Sequence, residues 1–425
     1  MRRVVRRKIW FFFIISSFLF PVTARAQVIY EFTPRISMSE VYEDNIYLDA
    51  IDEKSDYLTT ASPGVNLTIR SRNNFISLDY SPTWVWYDTY NQNDTVRHSG
   101  NLSLGYNLTE HVKFDLTNTY LKSEEPLEET EEIEGVRRTR NTYRRNTGSA
   151  SFQYRFGQED SLIMGYKNSL LKNEDVTLDN GTIQNPFVTL LYWVNVKNGF
   201  EFTYEFTRAI FWRDDESIAG DDYDGHTGGL RYVYRFSPHT KGSIGYTFTN
   251  RDFEGVSEDY EIHEGTLGFE HAFSPSLSIQ LESGIFTQDN DWSDDETGYS
   301  YNASLAKRFK RGSFTLGGRG GWDEAYLDSE RRGFTKYRSA HSRLEYTFIQ
   351  RLKGHAGGSF RHDRDGENRE WETWRGNCGL SLEFLRWFSL SLDYTYAQRD
   401  DDVGEYDYTD NRVMLTLTGR KLYGW

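Results

Sequence analysis

Cysteine, methionine and proline are all scarce, at one, four and eight residues in a chain of 425. The lone Cys378 has no partner for an internal disulfide, so in an oxidising compartment stability must come from elsewhere. Beyond the N-terminal segment no stretch approaches 18 consecutive apolar residues, which excludes membrane crossing by helices. Positive charge is also in deficit: 49 Lys and Arg stand against 64 Asp and Glu, a formal net charge of −15. That balance argues against nucleic acid as a partner and leaves no broad basic surface for anionic lipid. Catalytic signatures are missing too. The nine histidines are scattered, no Gly-x-Ser-x-Gly or His-Glu-x-x-His run occurs, and nothing suggests a cofactor or a metal site. Only His226, His263 and Ser257, near the ends of their segments, could converge as a rim triad, so no enzyme is expected.

Aromatic residues and glycine are abundant instead, with 29 Tyr, 28 Phe, 11 Trp and 35 Gly. The mean hydropathy of −0.71 does not exclude a membrane, because half the residues of a barrel strand face a polar lumen. Alternation recurs about every 20 residues, counted as strand plus connection. Val65, Leu67 and Ile69 share one face; so do Ile76, Leu78, Tyr80, Trp84 and Trp86, with Asp79 on the other. Twenty such strands are expected, or eighteen if Phe32–Tyr42 or Pro186–Asn195 is miscounted. Nine or so short turns, such as Ser71-Arg72-Asn73-Asn74 and Lys310-Arg311-Gly312-Ser313, alternate with ten long acidic connections, among them Glu43–Asp56, Asn91–Arg97, Glu124–Arg140 and Asn173–Gln184. The expected fold is all-β: one transmembrane antiparallel up-and-down barrel, with short periplasmic turns and long extracellular loops. A soluble propeller or repeated sandwich would show short, roughly equal turns and blade signatures, which are not found.

The two ends of the sequence agree with a barrel. Arg2, Arg3, Arg6, Arg7 and Lys8 precede the mostly apolar Ile9–Phe20, followed by Ala24-Arg25-Ala26, which reads as a general secretory signal peptide over residues 1–26, cleaved near Ala26. Its removal takes six basic residues and no acidic ones, moving the net charge to −21 over residues 27–425. At the other end Val413, Leu415 and Leu417 share a face that Tyr423 and the terminal Trp425 continue. This ending resembles the C-terminal signal read by the barrel assembly machinery of Gram-negative bacteria, and outer-membrane lipid and lipopolysaccharide would then surround the barrel.

The opposite parity of each strand gives the candidate lumen-lining set: Asp79, Asp115, Arg155, Glu201, Glu205, Arg231, Arg235, Glu282, Arg308, Arg319, Glu383 and Asp393. Charges of both signs fit either a structural network in a wet channel or a selective track for hydroxyl-rich or charged solutes. The most distinctive connection is a run of glutamates, with Glu124, Glu125, Glu131 and Glu132, followed by Arg137, Arg138 and Arg140. It either stays solvated or folds inward as a constriction with its opposite blocks paired. Asp214-Asp215-Glu216, Asp221-Asp222, Asp294-Asp295-Glu296 and Asp400-Asp401-Asp402 could gather divalent cations but match no calcium loop.

Val41-Tyr42-Glu43-Asp44-Asn45-Ile46-Tyr47-Leu48, then Ser55-Asp56-Tyr57-Leu58 and Ser62-Pro63-Gly64-Val65, resemble the start of outer-membrane β-barrel porins of the beta-barrel porin 2 type, often associated with exopolysaccharide export. The resemblance implies a passive conduit, an exit for a secreted polysaccharide or a passage for hydrophilic solutes, working with a periplasmic polysaccharide-export partner. A structural or adhesive barrel with a filled lumen is the alternative, and a rim hydrolase a more distant one. No separate plug domain is expected, because strand patterning begins almost at Gln27. Cys378 shares its parity with Leu380 and Leu382, so membrane-soluble maleimides are expected to label it and aqueous ones to fail from either side. Aqueous labelling would break the parity assignment.

Overall fold

The computed structural model describes residues 28–129, 134–136, 140–176, 178–213, 221–255, 257–324, 334–366 and 368–425. The proposed signal segment therefore lies outside the described residues. The strands are β1 Ile29–Glu43, β2 Asp56–Arg70, β3 Phe75–Tyr87, β4 Thr95–Asn107, β5 Val112–Ser123, β6 Leu127–Glu129, β7 Glu134–Val136, β8 Tyr143–Arg155, β9 Ser161–Asn173, β10 Asn180–Trp193, β11 Asn198–Trp212 and β12 Tyr223–Ser237. The series continues with β13 Thr240–Phe253, β14 Tyr260–Ser274, β15 Leu277–Asn290, β16 Glu296–Phe309, β17 Gly312–Glu324, β18 Phe334–Ile349, β19 Leu352–Asp365, β20 Glu370–Leu385, β21 Phe388–Asp401, β22 Tyr408–Arg420 and β23 Tyr423–Gly424.

Twenty of these, β1–β5 and β8–β22, pair antiparallel with their chain neighbours, and β22 returns to β1 in the register Ser37↔Thr418 to Glu43↔Arg412. The sheet is closed. β6 and β7 form a separate hairpin inside one long connection, and β23 adds a last rung against β1. Closure leaves no free edge, which lipid would penalise by several kcal/mol per unpaired group.

The register carries the alternation from strand to strand. Ile36, Met38, Leu67, Trp84, Ile244, Leu267, Leu281, Leu392 and Leu415 point outward and stay exposed. Aromatic residues flank this apolar band: Tyr57, Trp86, Tyr246, Trp374 and Tyr394 toward the long loops, Tyr154, Phe236, Phe273, Trp387 and Trp425 toward the short turns. Cys378 is exposed on this outward side, opposite Tyr394 and Ala356. Several connections are shorter than expected. Arg97 belongs to β4 and residues 180–184 to β10, because backbone pairing continues through these mostly polar strand ends.

The Ser62-Pro63-Gly64 segment has a specific role. Arg35 of β1 lies opposite Gly64 of β2 and crosses it to reach Asp79 of β3 in a bidentate pair at 2.5 and 2.6 Å. A Cβ at Gly64 would stand 2.7 Å from Arg35 Nε and 3.0 Å from Ser81 Oγ. Pro63 and Pro82 each lack an N–H, and the β2–β3 ladder is interrupted between Ala61 and Val65. Hydroxyls bridge the gap, with Ser62 and Ser81 2.8 Å apart and Ser81 Oγ donating to Pro63 O at 3.2 Å. Gly64→Val is expected to expel the Arg35 side chain, orphan Asp79 and cost about 2 kcal/mol. Urea unfolding of the refolded barrel checks this, and unchanged stability would contradict the crossing geometry.

Candidate functional site

The long-loop end of the lumen is filled from two directions. Residues 44–55, following β1, turn into the barrel and bury Asn45, Ile46 and Leu48 completely. Asn45 holds this fold: its Nδ2 donates to Asp49 O at 2.8 Å and Thr409 O at 3.1 Å, and its Oδ1 accepts from Asp49 N. Asp44 fastens the same segment to β22, accepting from Asn411 N and Nδ2 at 2.7 Å each. Asp56 accepts from Thr89 N and Tyr90 N at 2.9 Å, tying the neighbouring connection down. The acidic and amide residues of the Tyr42–Leu48 stretch thus work as latches.

From the other side come Glu124, Glu125 and Arg140. Arg140 has a side chain 1% exposed; it donates to Ile46 O at 2.7 Å, Tyr87 Oη at 2.7 Å and Glu43 Oε1 at 2.5 Å. Tyr87 in turn donates to Glu124 at 3.1 Å, and Arg97 of β4 grips Glu124 at 2.5 Å and Glu125 at 2.6 Å. Arg412 of β22 reaches Glu125 at 3.5 Å. The described glutamates Glu124 and Glu125 therefore pair chiefly with strand arginines across the lumen, and from within the loop Arg140 approaches Glu125 at 3.6 Å. Glu131, Glu132, Arg137 and Arg138 lie outside the described residues.

Burial by itself pushes the Glu125 carboxyl up, but the guanidiniums of Arg97, Arg412 and Arg140 outweigh it and hold the group far below the ordinary carboxylate range. Desolvation works against Arg140 in the same way, and its carboxylate neighbours again prevail, keeping it charged.

Around the remaining wall the same end is lined by buried aromatic residues. Phe211 and Tyr223 pack with Ala209, and Tyr260 and Phe286 with Ile262; Phe253 touches both groups. Arg251 spans from β13 to Glu324 of β17 at 2.8 Å, and Tyr260 donates to the same carboxylate at 2.5 Å. Leu48 packs with Ala397 and Tyr408.

Two cavities lie in the interior. A cavity of about 780 Å³ beneath the network is lined by Arg97, Glu125, Arg145, Arg375, Asp393 and Arg412. Another of about 460 Å³ is lined by Trp193, Glu201, Arg231, Lys241, Glu270 and Glu282. Of the candidate lumen residues, Glu201, Arg231, Glu282 and Asp393 line these cavities. Asp79 is tied to Arg35, Asp115 to Lys113 at 2.7 Å, Glu205 to Lys167 at 3.2 Å, Glu383 to Lys353 at 3.4 Å, and Asp393 faces His355 at 3.7 Å. Arg231 reaches Glu282 across two intervening strands. Arg235 binds Glu159 at the short-turn rim and lies 3.5 Å above the Trp193 ring, and its hydrogen bond holds the Glu159 carboxyl low. Arg155 and Arg308 are exposed, and Arg319 accepts Ser339 Oγ at its carbonyl.

The rim triad does not assemble. His226 and His263 face outward against Tyr204 and Tyr246 at 2.8 and 2.7 Å, and the Ser257 hydroxyl donates to Asp221. Among the described residues no group of three or more His, Cys, Asp and Glu could hold a metal. Asp401 is buried against Arg399 and Arg369 at 3.0 Å each, and Asp214–Glu216 lies outside the described residues. At the C-terminus Tyr423 pairs with Phe32, and Trp425 stacks on Tyr30 at 6.1 Å and 11°.

Residues 29–186 match the family described as "Putative beta-barrel porin 2". Over that span the chain is similar to the family. No curated protein matches it. Among solved structures, OccAB4 of Acinetobacter baumannii is 13% identical, with 94% of this chain and 99% of that chain covered, at a TM-score of 0.44. OpdK of Pseudomonas aeruginosa is 10% identical over 93% and 99%, at 0.44. The siderophore receptor PirA of Pseudomonas aeruginosa is 8% identical over 92% and 80%, at 0.50, a likeness of fold. The shared feature is the closed antiparallel β-barrel, whose first strands are similar to that family.

Sequence reasoning missed Glu43, Tyr87, Arg97, Arg251, Glu324 and Arg412. Parity carried two residues beyond the last apolar position would have placed Arg97 and Arg412 inside. Arg140→Ala leaves Glu43 buried without its cation, which costs about 3–5 kcal/mol of local closure. Amide exchange protection over residues 44–55 is expected to fall accordingly. Because the Glu125 pKa is depressed on folding, its contribution is complete above the unfolded value of about 4.5 and fades as pH falls through the lower folded value. Protection should hold from pH 7 to 4.5 and drop only on further acidification; loss between pH 7 and 5 would contradict the charge assignment.

Proposed function

We propose that this porin-type barrel is a gated conduit, open toward the periplasm and closed at its extracellular end by the segment around Ile46 and the Arg140 network. The buried Arg140 carries the reading. A guanidinium held by Glu43, Tyr87 and the Ile46 carbonyl joins three separate parts of the chain through polar contacts. Such a junction is specific in geometry yet depends on each partner, which suits a gate that must release. The mixed-charge walls and the two cavities below it suit a hydrated, hydroxyl-rich cargo, with secreted exopolysaccharide the favoured class and other hydrophilic solutes the broader one. A periplasmic export partner would deliver cargo at the short-turn end. Tyr423 and Trp425 would serve the barrel assembly machinery during insertion.

A filled structural barrel is the second reading, supported by the aromatic packing around Tyr223, Tyr260 and Phe286. Planar-bilayer conductance separates the two. Wild type is expected to conduct weakly or in brief openings, and deletion of residues 124–140 or the pair Glu43→Gln with Arg140→Ala to give a stable larger conductance that oligosaccharides block. Silence in all three forms would overturn the conduit and favour the filled barrel.

A further inference from the structure

Charged rows interrupt the apolar outward face near the long loops, and on one wall the row is wholly cationic. On β5, β8 and β9 the last outward residues before the long loops are Lys122, Arg144 and Lys172, and the register sets them side by side, Lys122 opposite Arg144 and Arg144 opposite Lys172. Neighbouring strands lie about 5 Å apart, so the three cations span about 10 Å. Arg144 and Lys172 are exposed and Lys122 half-buried. Arg144 shares its charge with Glu174 at 3.1 Å; no described carboxylate pairs with either lysine. The outward residues near the same end of β12–β15 are of the opposite sign: Asp224, Asp252, Glu261 and Asp289. In a chain of net charge −15 the cationic row is a local feature.

A second observation falls directly below it. Where other strands place leucine or isoleucine, this wall carries Asn118, Asn146 and Asn168, with Gly148 between them. Asn118 and Asn146 exchange amide hydrogen bonds at 3.1 and 3.2 Å, and Asn168 donates to Thr182 at 3.3 Å. Lower still the wall is again apolar, with Leu116, Ala150, Phe152 and Met164. From the rim inward come the cations, then a mixed band in which Tyr120 and Leu170 flank Asn146 and, one rung lower, Asn118 and Asn168 flank Gly148, and below it hydrocarbon. Amides in contact with acyl chains alone would be costly, whereas the same groups against a phosphorylated sugar headgroup find partners.

We propose that this wall binds the phosphorylated glycolipid of the outer leaflet, lipopolysaccharide, with its phosphates on Lys122, Arg144 and Lys172, its sugar amides and hydroxyls on the asparagines, and its acyl chains on the apolar residues below. The test uses the full barrel, folded in detergent and titrated with lipopolysaccharide, dephosphorylated lipopolysaccharide and phosphatidylglycerol vesicles. The triple variant Lys122→Gln, Arg144→Gln, Lys172→Gln is expected to lose roughly 100-fold in affinity for lipopolysaccharide. Removing the phosphates from the ligand should weaken wild-type binding by a similar factor, which needs no variant to fold. Lys336→Gln with Arg338→Gln, basic residues elsewhere on the rim, should leave binding unchanged. Equal affinity of wild type for phosphorylated and dephosphorylated ligand would overturn the proposal, as would equal loss in both variants. So would an oligomer of the barrel that the triple variant disrupts while lipopolysaccharide binding persists, which would make the wall a contact between copies.

Discussion

Everything in this protein depends on one requirement: inside lipid each backbone N–H and C=O must be paired within the protein, so the first and last barrel strands must meet. The β1–β22 seam joins residues 369 to 385 positions apart in the chain. It is reinforced at both ends by side chains. Asp44 grips Asn411, Asn45 reaches the Thr409 carbonyl, and at the opposite end Trp425 stacks on Tyr30. Hydroxyl pairs between Ser37 and Thr418 and between Ser39 and Thr416, each at 2.9 Å, line the inner side of the same seam.

The seam also explains where the closure of the lumen begins. Glu43 is the last residue of β1, and the latch residues Asp44 and Asn45 follow at once, so the segment that carries Ile46 and Leu48 inward is anchored on the last strand to close. Arg140 then links that segment to β3 through Tyr87 and to the connection after β5 through Glu125. A buried cation held this way adds little net stability over an apolar filling of the same volume, because desolvation offsets most of the attraction. What it adds is dependence on every partner, and that dependence distinguishes a closure from a core.

The barrel was readable because its constraint is periodic. Alternating residues such as Ile76, Leu78 and Tyr80 declare their faces over many strands, and turn chemistry such as Lys310-Arg311-Gly312-Ser313 marks the short end without reference to distant residues. The inner face of Arg231 and Glu282 followed from parity, although their pairing over two intervening strands did not, since it depends on barrel curvature. The closure was legible only as composition. Glu124 and Glu125 stand out in the sequence, but nothing local says that Arg97 and Arg412, from strands at opposite ends of the chain order, will meet them. Strand edges failed where polarity hid continuing pairing, as at Arg97 and at residues 180–184.

The Tyr42–Leu48 and Ser62–Val65 segments, which carry the resemblance to the porin family, turn out to hold two different kinds of junction. Gly64 is small so that Arg35 can pass over it to Asp79, a strut between three strands of the wall. Glu43, Asp44 and Asn45 supply the polar contacts that hold a loop inside the barrel, beside the apolar packing of Ile46 and Leu48. One fixes the wall and the other fixes what blocks it. Both junctions fall within residues 29–186, where the family match lies, whereas Trp193, Glu201, Arg231 and Glu282, which line one of the cavities, lie beyond it.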